Sequence, residues 1–131
     1  MAIKRKCFTQ PVLEGISKIL GDTNSGLTGS EIQHLLAQSK IADVSPTSTK
    51  WKRLYDAFAV YQNESQCSNN ILNFIALALA PAIYVESPYF FSEKRNQINQ
   101  QLSFIGYQFN ENGKFSEIKQ ATTISEAQRK A

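Results

Sequence analysis

The chain has little of what most reactive sites are built from. Of its 131 residues one is histidine and two are cysteine. One imidazole at His34 and two distant thiols at Cys7 and Cys67 match no familiar zinc spacing, so no metal site is expected. Two thiols without a secretory context read as free cysteines of a reducing compartment. Triad chemistry needs a base beside a nucleophile, and His34 sits next to Leu35 and Leu36, the setting of a surface or boundary histidine. The carboxylates are scattered singly, so no pair stands out for acid–base work. A phosphate loop, a dinucleotide fingerprint, a nucleophile elbow and a His-Glu-x-x-His motif are all missing. The expectation is a chain that is not an enzyme and takes no cofactor.

Glycine (6) and proline (4) are too scarce for a collagen-like or proline-rich disordered chain. The longest apolar run, residues 71–85, is interrupted by Asn73 and Pro81. It falls short of the ~20 residues a membrane helix needs. The basic start is followed by no apolar stretch of the kind a secretory signal carries, so a cytoplasmic protein without membrane contact is expected. Cationic excess is also small. Lys and Arg number 14 against 11 Asp and Glu, and Lys4, Arg5 and Lys6 account for the whole net charge of +3. A pI near 8.9 therefore does not by itself imply nucleic acid.

With 42% hydrophobic residues, the chain suits one domain with a sizeable core. The period is mostly helical. Pro11 fits a first helical turn, Val12, Leu13, Ile16, Ile19 and Leu20 follow at helical spacing, and Gly21 stops the helix. Thr28 and Glu31 form a capping box, with Leu27 and Ile32 placed as a hydrophobic staple. Ile32, Leu35 and Leu36 give this second helix its buried stripe, and Lys40 is expected in its last turn. A third helix over 49–64 places Trp51, Leu54, Tyr55, Phe58 and Gln62 on one face. A fourth, over 71–80, is apolar nearly all round and should be central, with Pro81 ending it. Ser87-Pro88 opens a fifth, with Phe91, Ile98, Leu102 and Ile105 inward and Lys94, Arg95 and Asn96 facing water.

The period then changes to two. Asn112-Gly113 between alternating segments predicts a β-hairpin near 104–118. Thr123 and Glu126 write a last capping box for a helix of about two turns, marginal alone. The fold class expected is mainly α: a compact bundle of about five helices with a C-terminal β-hairpin. Residues 1–8 read as a mobile basic arm with Cys7 and Phe8 as its anchor, and 9–120 as the helical domain. Residues 121–131 read as the start of a linker helix to a further C-terminal domain. Trp51, Phe58, Phe74, Ile75, Leu79 and Leu102 are the core expected from these stripes.

One cluster breaks a local rule. Lys50, Lys52 and Arg53 crowd the first turn of the third helix, where a half-positive helix end makes each cation cost a few tenths of a kcal/mol. Such a violation is sometimes placed by function. A helix start with three cations would suit phosphate or carboxylate. Three readings stay open: a nucleic-acid backbone contact, an acidic protein surface, or the solvated flank of a core Trp51. Three helices followed by a hairpin also suggest a winged helix. However, two further helices precede the hairpin, and the connector 41–48 is long for a tight helix-turn-helix.

Three stretches carry a family resemblance: Leu27-Thr28-Gly29-Ser30-Glu31-Ile32, Thr49-Lys50-Trp51-Lys52-Arg53-Leu54, and Ala121 through Arg129. With the Asn112-Gly113-Lys114 turn before the last, they resemble the N-terminal region of the Ymh-type family of bacterial proteins. That family occurs among abortive-infection and other phage-defence or mobile-element genes, and its C-terminal domain resembles the HEPN class of helical ribonucleases and RNA-binding domains. The resemblance implies that such a domain follows Ala131 and that this chain is its non-catalytic sensing or interaction module. Partners would be a protein or that C-terminal domain, with RNA or DNA as the alternative. HEPN ribonucleases use an Arg shortly followed by a His, and no Arg stands so before His34, so no catalytic residue carries over.

Overall fold

The structure, a computed structural model, describes residues 3–130. Helix accounts for 59% of the chain, so the fold is mainly α. Its elements are α1 (Gln10–Leu20), α2 (Gly29–Gln38), α3 (Lys50–Ser65), α4 (Asn69–Ala78), α5 (Pro88–Leu102), β1 (Tyr107–Phe109), β2 (Phe115–Glu117) and α6 (Ile124–Lys130), with 3-10 turns at Pro81–Tyr84 and Ser103–Ile105. The chain divides into two compact units, Met1–Ala78 and Leu79–Ala131.

In the first unit α1 and α3 form an antiparallel pair. Phe8, just before α1, exchanges two hydrogen bonds with the Gln62 amide near the end of α3 (2.8 and 2.9 Å). At the other end Gly21 lies against the start of α3, where a Cβ would stand 2.8 Å from the Trp51 backbone nitrogen and Cα. Only a residue without a side chain permits that approach. The Thr28–Glu31 capping box forms in full, with both reciprocal bonds. Helix α2 packs on α4 and α3. Ile16, Ile32, Leu36, Leu54, Phe58, Ile71, Phe74 and Ile75 make the core, and Phe58 and Phe74 meet edge-to-face at 5.1 Å.

Two expectations are corrected here, and the N-terminal arm gains partners. Trp51 is half-buried, because its ring lies at the end of the α1–α3 pair. Lys40 lies beyond the last turn of α2, which closes at Ser39, and its backbone turns left-handed with φ of 59°. The basic arm is strapped down across its described length. The Asn69 side chain donates to the Ile3 carbonyl (2.9 Å) and accepts from the Arg5 N–H (2.7 Å), while Ser68 N–H donates to the Arg5 carbonyl (3.0 Å). Met1 and Ala2 lie outside the described residues.

In the second unit α5 carries everything else. The hairpin pairs Tyr107 with Glu117, Gln108 with Ser116 and Phe109 with Phe115, and Gly113 takes φ of 82° as its turn requires. Asn99 on α5 acts as a third strand in miniature. Its amide accepts from Phe109 N–H (2.7 Å) and donates to the Phe109 carbonyl (3.0 Å). Helix α6 packs on α5 through buried Ala127. That packing gives the Thr123–Glu126 start signal a use within this unit.

Lys94 is a further correction: it is 6% exposed, not water-facing, with its ammonium 5.7 Å from the centre of the Phe90 ring. Lys94 lies one helical turn before Ile98 and two before Leu102, so α5 carries it onto the inner stripe. Among the described residues no helix is long and apolar enough to cross a membrane.

Candidate functional site

The first turn of α3 holds the three cations singled out by the sequence, and each takes a different partner. Arg53 is 9% exposed. Its Nε donates to Asp43 Oδ1 (3.0 Å), its Nη2 to Asp43 Oδ2, and its Nη1 to the Gly29 carbonyl (3.3 Å). The Asp43 hydrogen bonds raise the guanidinium pKa above its ordinary value, against the opposing effect of burial. Lys50 is half-buried and reaches the Thr23 carbonyl (3.5 Å), just past the end of α1. Lys52 is exposed, 5.9 Å from the centre of the Trp51 ring. A fourth cation, Lys18 of α1, sits 4.8 Å from the same ring and pairs with Glu14 (3.0 Å), whose pKa it lowers through that hydrogen bond and its charge.

This geometry explains how the local rule comes to be broken. The antiparallel pairing sets the negative end of α1 beside the positive end of α3, which offsets the charge of Lys50. Asp43 neutralises Arg53 and, with the Ser45–Asp56 hydrogen bond (2.8 Å), ties the connector 41–48 to α3. Lys18 and Lys52 flank the half-buried indole, and Lys50 stands beside Trp51 in the chain with its ammonium on the Thr23 carbonyl. Lys18 was not signalled by the α3 sequence, because it belongs to α1.

Elsewhere in the first unit the chemistry is sparse. His34 is exposed on α2. Among the described residues no group of three or more His, Cys, Asp or Glu could hold a metal ion. Both cysteines are free, and Cys67 is buried with its Sγ 3.3 Å from the Tyr61 hydroxyl. The hydrogen bond to Tyr61 lowers the Cys67 pKa, with help from the Asn69 backbone, while burial raises that of Tyr61. An open cavity of about 280 Å³ is lined by Tyr61 together with Lys40, Ala57, Val60, Glu64 and Asn70.

The second unit offers a surface of another kind. The 3-10 turn Pro81–Tyr84 buries no residue. Ile83 is 61% exposed, Val85 76% and Tyr89 80%. These three large apolar side chains fall within seven residues and stand on a firm base. Tyr84 packs on Phe90 and Phe91 with ring centres 5.9 and 5.7 Å apart, and Pro88 starts α5. Along the sequence this stretch shows only the end of an apolar run, with Pro81 as a helix stop and Ser87-Pro88 as a helix start.

No family model, no curated protein and no solved structure matches the chain.

Proposed function

We propose that this chain is a non-catalytic interaction module that recognises a protein partner through the exposed apolar strip Ile83–Val85–Tyr89. The observation that carries this reading is the exposure itself: side chains of this size are normally withdrawn from water, and three of them stand exposed within seven residues. The resemblance of three stretches to the Ymh-type family is what supports reading the module as part of a larger bacterial defence-type protein of the cytoplasm. There the partner is another protein or that protein's own C-terminal domain, and sensing is the module's contribution. The scarcity of histidine and of paired acids supports a role without catalysis.

The test is a photo-crosslinking amino acid at position 89, introduced in cells of the source organism, with position 33 on the exposed side of α2 as the control. The expected result is a discrete protein adduct at 89, absent at 33 and lost on Val85→Asp. Adducts of equal yield at both positions would refute the reading.

A second reading, nucleic-acid binding, is favoured by Lys18, Lys50 and Lys52 around Trp51. With Arg53 held by Asp43, at most three cations remain for phosphates. Binding to RNA or DNA would then fall with salt on a log–log slope of about −2 to −3. Lys50→Ala would flatten that slope by about one unit. Binding that ignores Lys50→Ala and Lys52→Ala removes this reading.

A further inference from the structure

We propose that the strip in the second unit is built for a basic amphipathic segment of its partner. Apolar side chains of that segment seat against Ile83, Val85 and Tyr89, and its Lys or Arg residues face Glu86 and Glu93. The proposal rests on the interaction reading above and adds the chemistry of the occupant.

The argument is one of charge. From Leu54 through Glu93 the sequence contains no Lys or Arg. The next cation along the chain, Lys94, is withdrawn from solvent at 6% exposure. The exposed charges from Ile83 to the second turn of α5 are Glu86 and Glu93, because Lys94 is buried and the half-buried Arg95 pairs with Glu111 (3.6 Å). Glu93 lies four residues after Tyr89 in α5, so the two share one helix face. An apolar anchor rimmed by carboxylates complements an apolar segment rimmed by cations. The chain as a whole leans the other way, with a net charge of +3. A basic ligand drawn here therefore answers to the local field and not to the charge of the whole molecule.

The other occupants fit less well. A two-fold pairing of this strip with a second copy is isologous, so the carboxylates of both copies would be brought into one interface with no exposed cation of the strip to pair them. An anionic lipid surface attracts basic patches and would be repelled here. The strip is also firm. Two prolines, a 3-10 turn and the Tyr84–Phe90–Phe91 packing fix its backbone, so a partner gains contact without ordering the site. A helix laid along such a strip, with anchors one turn apart, is a recurring way of burying an apolar face.

The experiment uses the full chain and three fluorescein-labelled 14-residue peptides. One is an amphipathic Leu/Lys helix, one its Leu/Glu counterpart, and one a Ser/Lys peptide of the same charge as the first. Fluorescence anisotropy at low salt should show saturable binding of the Leu/Lys peptide alone. Val85→Ser and Tyr89→Ser should each weaken it at least tenfold while leaving the circular-dichroism melt in place, because both side chains are exposed. The double variant Glu86→Lys/Glu93→Lys should invert the preference toward Leu/Glu. Equal binding of Leu/Lys and Ser/Lys, indifference to these variants, or absence of binding would overturn the proposal. So would a Val85-dependent dimer in sedimentation velocity, which would make a second copy the occupant. If the peptides fail while the adduct at position 89 still forms, the partner is not basic but the interaction reading stands. If both fail, both readings fall.

Discussion

Replacing Arg53 with alanine tests whether the conspicuous cation of α3 serves the fold or a ligand. The side chain makes three hydrogen bonds: two to the Asp43 carboxylate and one to the Gly29 carbonyl. Hydrogen bonds to charged partners contribute about 1.5–3 kcal/mol each when buried. This pair is not fully withdrawn, with side-chain exposures of 11% for Arg53 and 23% for Asp43, so solvent screens part of that. Losing Arg53 also leaves Asp43 half-buried without its cation, which costs more than the pair itself contributes. The expected loss for Arg53→Ala is about 2 kcal/mol, and a cycle with Asp43→Ala should recover about 1–2 kcal/mol as coupling.

Trp51 is the only tryptophan and lies in the first unit, so its fluorescence during urea unfolding reports the part of the molecule that the latch ties together. The midpoint should fall with an unchanged slope. The coupling should survive added salt, because a partly buried pair is screened less than a surface one. An Arg53→Ala melt within about 0.5 kcal/mol of the parent, the range of an ordinary surface substitution, would refute the latch. Arg53 would then have to be counted again among the cations available to a ligand.

Three further outcomes follow from the packing. Phe74→Ala, in a fully buried site against Phe58, should cost about 3–5 kcal/mol, read by the same fluorescence melt. Asn99→Ala should cost about 2–3 kcal/mol by circular dichroism, because it orphans the Phe109 N–H; Arg95 still reaches the Phe109 carbonyl (3.3 Å) and limits the loss. Gly21→Ala should cost about 1–3 kcal/mol, because the new Cβ meets Trp51 backbone at 2.8 Å and the two helices must part. A Gly21→Ala melt equal to the parent would contradict the close approach of α1 and α3.

Local chemistry by itself determined the elements. The Thr28–Glu31 box starts α2 because its two bonds close within four residues, and Asn112-Gly113 turns the hairpin because glycine takes a positive φ without strain. The apolar stripes likewise specified Phe58, Phe74, Ile75, Leu79 and Leu102 as buried. What depends on partners far along the chain was decided only by tertiary structure. Asn69 and Gln62 strap down an arm that looked mobile, across separations of 54 to 66 residues. Asp43 claims Arg53 from ten residues away, and Lys18 reaches the Trp51 ring from another helix. Charge pattern along α3 counts cations but not the carboxylates and carbonyls that other elements bring to them. The apolar strip falls to the same limit. Hydropathy records that Ile83, Val85 and Tyr89 are apolar, but whether a side chain is covered depends on what packs over it.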